Sequence, residues 1–134
     1  MFISALALLV PDYDAGIAFY VGTMGFILVE DTDMGNGKRW VLVAPPGAQE
    51  CRLLLARAVD EAQRAAIGQQ AGGRVFLFLE STDFAGDHAR MKAAGVEFLE
   101  EPRHESYGSV AVFSDPFGNK WDLLQRVTGR PPAG

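Results

Sequence analysis

The chain has 134 residues, 49% of them hydrophobic and 22% charged, with a formal net charge of −5. That length and apolar content build one domain with a core and exclude global disorder. The negative charge, with no dense run of Lys and Arg, opposes nucleic-acid binding.

Phe2 to Val10 is an apolar run of strand length. It lacks a basic leader and falls short of the roughly 20 residues a bilayer crossing takes, so a buried strand is expected and no membrane association. Asp12 is placed to cap a helix whose stripe is Ile17, Tyr20, Val21 and Met24, ended by Gly22 and Gly25. Phe26 to Asp31 reads as a strand, Asn36-Gly37 as a hairpin turn, Arg39 to Val43 as the returning strand and Pro45-Pro46-Gly47 as a further turn. Cys51 to Ala56 is the fourth strand. Asp60 and Gln63 resemble a capping box for a short helix from Glu61 to Ile67.

The order then repeats. Val75 to Leu79 is a strand, and Asp83 starts a helix with the stripe Phe84, His88, Met91 and Ala94, capped by Gly95. Val96 to Glu100, Ser109 to Phe113 and Lys120 to Gln125 follow as strands, the last two joined by the turn Asp115-Pro116-Phe117-Gly118-Asn119. His104, Glu105 and Tyr107 fall in the loop between two of these strands. Gly25 and Gly95, Glu30 and Glu100, Pro46 and Pro116, and Leu53-Leu54 and Leu123-Leu124 are each 70 positions apart. A fixed period of this length marks a duplicated module. The expected fold is α+β, with two tandem β-α-β-β-β modules forming a curved eight-stranded sheet around a cleft. The expected boundaries are module one 1–57, linker 58–73, module two 74–126 and a frayed tail 127–134.

The paired modules, the segment Val10-Pro11-Asp12-Tyr13-Asp14 with Phe19-Tyr20 and Gly25-Phe26, and the ending Asp115-Pro116-Phe117-Gly118-Asn119-Lys120-Trp121-Asp122-Leu123 resemble the vicinal oxygen chelate superfamily of glyoxalases, extradiol dioxygenases and bleomycin-resistance proteins. The resemblance runs from Phe2 to Gln125 and implies a single glyoxalase-like domain and a homodimer. It also implies a divalent metal held by four strand positions, which fall here on Ala5, Arg52, Arg74 and Asp122. Only Asp122 is a metal donor. A divalent ion about 4 Å from one guanidinium meets roughly 8 kcal/mol of repulsion at an effective dielectric of 20, and arginine does not shed its proton. No metal and no other cofactor is therefore expected.

Two readings of Arg52, Arg74 and Asp122 stand: an ion-pair cluster that satisfies itself, or a positively charged anchor for an anionic or carbonyl-bearing ligand. Arg74, Phe76 and Phe78 share one face by period two, so both Phe rings line the cleft if Arg74 does. Trp40, Phe113 and Trp121 divide between the cleft and the helix-packed side. His104 and Glu105 are either solvent-facing or an acid–base pair, and His88 reads as a packed histidine. Cys51 neighbours Arg52 and is expected on the helix-packed side as a buried thiol. Unable to form an internal disulfide, it fits a reducing cytoplasm. The expected function is binding of a small organic ligand in a metal-free cleft, an aromatic or aliphatic carboxylate being favoured. The alternative is a divalent-metal lyase, isomerase or dioxygenase rebuilt around His104, Glu105 and Asp122, so whether the chain is an enzyme stays open.

Overall fold

Aspartates cap the three α-helices of the described residues. In the computed structural model, which describes residues 1–127, β1 (Ala5–Val10) is followed by α1 (Tyr13–Ile17), and Asp12 Oδ1 accepts from Ala15 N at 2.7 Å. This satisfies one of the N–H groups that the first turn leaves free. The helix widens into a π-helical turn, Ala18–Thr23, closed by Met24 N on Phe19 O at 2.8 Å. The wider turn brings the consecutive residues Phe19 and Tyr20 both inside, edge to face at 4.9 Å.

β2 (Ile27–Gly35) and β3 (Lys38–Ala44) form the expected hairpin, with Asn36 left-handed at φ 56°. β4 (Arg52–Arg57) and α2 (Glu61–Ala66) complete the first compact unit, Met1–Ile67. Its sheet order is β1-β4-β3-β2, with only the β1–β4 pair parallel. In the α2 cap, Asp60 Oδ1 accepts from Gln63 N, while Gln63 Oε1 reaches back to Val59 N rather than to Asp60.

The second unit starts at Gly68. It holds β5 (Val75–Glu80), α3 (Phe84–Ala93) capped by Asp83, β6 (Glu97–Phe98), β7 (Arg103–Glu105), β8 (Gly108–Ser114) and β9 (Lys120–Arg126). The order is β5-β9-β8-β6, with β7 also on β8 and the β5–β9 pair parallel. The fold is thus α+β with two modules, β-α-β-β-β in the first unit and the same order with the third-from-last strand position split into β6 and β7 in the second, giving open sheets of four and five strands.

Alternation sorts the strands into a core side and an opposite side. Leu8, Val10, Val41, Val43, Leu53 and Leu55 are buried with Tyr13, Phe19, Tyr20 and Met24 from the helical segment. In the second unit Ala111, Phe113, Trp121 and Leu123 are buried with Phe84 and Met91. Phe113 and Trp121 stack at 5.7 Å, so both belong to the core. The β8–β9 turn is held by Asp115, whose Oδ1 accepts from Phe117 N and Asn119 N and whose Oδ2 accepts from Asn119 Nδ2. Two glycines make close approaches. A Cβ on Gly68 would overlap the Phe117 carbonyl, and one on Gly108 the Gln125 carbonyl; both have positive φ.

Three expectations are corrected. Val96 to Glu100 is not one strand: the paired strand is Glu97–Phe98, and after Leu99 N donates to Val112 O the ladder stops, because Glu100 Oε1 itself takes the Val112 N–H at 3.1 Å and Pro102 lacks an N–H to donate. His104 and Glu105 lie on β7, not in a loop. Cys51 is exposed, because it precedes the first paired residue of β4 and strand alternation does not orient it. The tail Thr128 to Gly134 lies outside the described residues.

Candidate ligand-binding faces

Residues opposite one another in register share a face, so the pairing specifies what each sheet presents on the side away from its helix. In the first unit Ala5 pairs with Arg52, Ala7 with Leu54, Leu42 with Leu54 and Glu30, and Thr32 with Trp40. That face is mostly small and apolar. Arg52 is half-buried, its Nε enclosed without a hydrogen-bond partner, and Trp40 is 36% exposed.

In the second unit Asp122 lies between Phe78 of β5 and Val112 of β8, and Arg103 pairs with Val110 on the same face. Phe78 is 49% exposed and Phe76 half-buried. Arg103 holds Glu100 in a fork, Nε to Oε2 at 2.7 Å and Nη2 to Oε1 at 3.2 Å, and reaches Glu105 through Nη1 at 3.1 Å. The bond from Arg103 holds the Glu100 carboxyl below its ordinary range, and the two carboxylates raise the guanidinium further. Burial pushes Asp122 up; the nearby Arg103 opposes this and Glu100 adds to it. Its Oδ1 is enclosed without a hydrogen-bond partner. Beside this network opens a cavity of about 410 Å³ lined by Val75, Leu99, Glu100, Arg103, Val112 and Lys120. Lys120 Nζ donates to Gly73 O at 3.2 Å.

Arg52 and Asp122 hold matching places, 70 positions apart, in different units. Arg74 does not stand where the expected alternation put it. It is an exposed bend residue before β5, and the residue registered against Asp122 is Phe78. A register irregularity between Val75 and Leu77 interrupts the period-two count from Arg74 to Phe78. His104 is exposed with Nδ1 2.9 Å from Ser109 Oγ, and β7 alternation turns it to the face opposite Glu105, which separates the expected pair. Tyr107 is a half-buried turn residue whose carbonyl accepts from Val127 N. His88 packs between Phe84 and Phe98 at 5.8 and 4.2 Å.

Sequence reasoning passed over Glu100, Arg103 and Lys120. The signal was present in the Arg103–Glu105 spacing and in Glu100 as the repeat of Glu30, but it needs β7 to become a face. The residues do not fit a divalent metal at the four positions named from the resemblance. Ala5 and Arg52 offer no lone pair, and among the described residues no three His, Cys, Asp or Glu side chains come together to hold an ion. Among the described residues, no helix is long and apolar enough to cross a membrane.

The model of the Glyoxalase/Bleomycin resistance protein/Dioxygenase superfamily matches residues 3–123. A protein of Shewanella frigidimarina (strain NCIMB 400) is 53% identical over 94% of both chains, and YetH of Bacillus subtilis (strain 168) is 32% identical over 92% of this chain and 97% of its own. Among solved structures, UcmS2 superposes with a TM-score of 0.80 at 28% identity, covering 92% of this chain and 97% of its own. TnmS3, an antibiotic binding protein from Streptomyces sp. CB03234, superposes with 0.75 at 31% identity, covering 95% and 97%.

Proposed function

The chain belongs to the glyoxalase/bleomycin resistance protein/dioxygenase superfamily, and from that premise we propose that it binds a small organic ligand on the sheet faces described above, without a metal. The observation that carries this reading is the donor set: alanine and arginine stand paired on β1 and β4, at positions where the resemblance implies metal ligands. The similarity to TnmS3, a protein described as antibiotic binding, supports a binding role. In the first unit Trp40 supplies exposed aromatic surface on the face that holds Arg52; in the second Phe78 is an exposed ring and Phe76 a half-buried one, with Asp122 on the Phe78 face and Arg74 before the strand as charged groups. A lyase, isomerase or dioxygenase rebuilt on His104, Glu105 and Asp122 gains no support, since β7 turns His104 away from Glu105.

The protein works as a cytoplasmic homodimer in this reading. Exposed Phe2, Ile3, Ile27 and Val29 leave apolar surface for a second copy to cover, and the lone cysteine suits a reducing compartment. The test is plasma mass spectrometry after dialysis against zinc, nickel and manganese, with light scattering on the same samples. The expected result is far less than one ion per chain and twice the chain mass. One tightly held ion per chain would overturn the metal-free reading.

A further inference from the structure

Arg103 lines the cavity of the second unit with its charge already matched. Its Nε and one N–H on each Nη are taken by Glu100 and Glu105. The remaining N–H bonds are still donors, yet they belong to a guanidinium bracketed by two carboxylates. Lys120 adds one more ammonium, already donating to the Gly73 carbonyl. Around the cavity, Arg103 and Lys120 are therefore balanced by Glu100 and Glu105. Asp122 stands one register step away beside Val112 and offers an anion nothing. Val75, Leu99 and Val112 supply the apolar part of the wall.

An anionic ligand entering such a site meets little net attraction, because Glu100 and Glu105 already oppose the charges of Arg103 and Lys120. A neutral carbonyl oxygen needs only one spare N–H. We propose that this cavity selects neutral, carbonyl-bearing molecules with an apolar body, the oxygen being received by Arg103 and Lys120, and that it discriminates against carboxylates. This rests on the ligand-binding reading above and names the ligand class for it. It replaces the carboxylate preference expected from Arg74 with one set by Arg103.

The test uses three probes on one ring system: 2-acetonaphthone, 2-naphthoate and 2-naphthylmethylammonium, titrated into the isotope-labelled protein and followed by amide and arginine side-chain NMR. The ketone should move the Arg103 Nε–H and the Leu99 and Val112 amides, and bind about fivefold more tightly than the naphthoate, the worth of roughly one hydrogen bond. Arg103→Met should weaken ketone binding and, by leaving Glu100 and Glu105 uncompensated, weaken naphthoate binding further, while the folded amide pattern persists. Glu105→Gln uncovers positive charge and should shift the ratio towards the naphthoate. Tighter naphthoate binding in the wild type, or a ratio that Glu105→Gln leaves unmoved, overturns the inference. A ketone that moves only resonances of residues 1–67 also overturns it and leaves the ligand-binding reading standing. Silence towards all three probes removes both.

Discussion

On the side of each sheet that meets its helix, the two units are alike: Val41, Val43, Leu53 and Leu55 in the first, Ala111, Phe113 and Leu123 in the second, all buried. On the opposite side they differ. The first unit presents Ala5, Ala7, Leu42 and Leu54 around a single half-buried arginine, whereas the second presents Asp122 beside the Glu100–Arg103–Glu105 network. Each unit also brackets one arginine between two carboxylates, but not in the same place. Arg39 joins Asp31 of β2 to Asp14 of α1 at 2.7 and 2.9 Å, while Arg103 lies on the face away from the helix. The duplicated scaffold has kept the residues that fill it and exchanged those on the opposite face, as expected when packing constrains one side more than the other.

The largest test of that division lies in substitutions on opposite sides. Phe113→Ala should cost about 3–5 kcal/mol, since the ring is fully buried against Trp121 and Phe98. Trp40→Ala, on the exposed face, should stay within roughly 1 kcal/mol. Urea unfolding of both decides it, and equal losses would break the assignment of faces.

A second test separates the carboxylates of the second unit by sign. Asp122 is held above its ordinary value by burial, so the stability present below that value declines as pH rises through the folded one. Asp122→Asn should therefore melt higher than wild type at neutral pH. Glu100 is held below its ordinary value by Arg103, so its contribution is present above that value and is lost as pH falls through the folded one. Glu100→Gln should melt lower at neutral pH and lose part of the acid sensitivity. Melting curves from acid to neutral pH should show the two variants moving in opposite directions; movement in the same direction would mean that Arg103 does not organise this face.

The smallest effect is expected at Arg39. Arg39→Met should lower the melting temperature slightly, and the difference should disappear in about 1 M salt, where exposed ion pairs are screened. A loss that survives in salt would show that Arg39 acts through packing on Tyr13, over which its guanidinium lies at 5.3 Å.

Most of the fold was legible because it rests on short-range rules. Asp12, Asp60 and Asp83 cap their helices as their positions indicate, Asn36-Gly37 turns the hairpin, and the 70-residue repeat announces the second module. What escaped depends on departures from regularity. Period two assumes an unbroken strand, and the irregularity between Val75 and Leu77 shifts the pairing by one residue, so that Phe78 rather than Leu77 stands opposite Asp122. A side chain substituting for a ladder bond, as Glu100 does on Val112 N, split an apolar run that reads as one strand. The π-helical turn at Ala18–Thr23 left no mark in an apolar stripe compatible with an ordinary helix. At the candidate site Asp122 and Phe78 were found and Arg103 was not, because its importance comes from three carboxylates that only the folded sheet gathers around it.

The close approaches of Gly68 to the Phe117 carbonyl and of Gly108 to the Gln125 carbonyl bear on how variation among relatives is to be read. At both positions every side chain is refused by main-chain atoms, which cannot rotate out of the way. Selection should therefore hold both glycines fixed in any descendant that keeps this backbone, whatever the molecule binds. Gly108 adjoins Tyr107 at the end of the hairpin carrying Arg103, so invariance there would look like a signature of the ligand while recording only the absence of room for a methyl group. The exchangeable positions, Arg52, Phe78, Arg103 and Lys120, are where lineages binding different molecules should diverge.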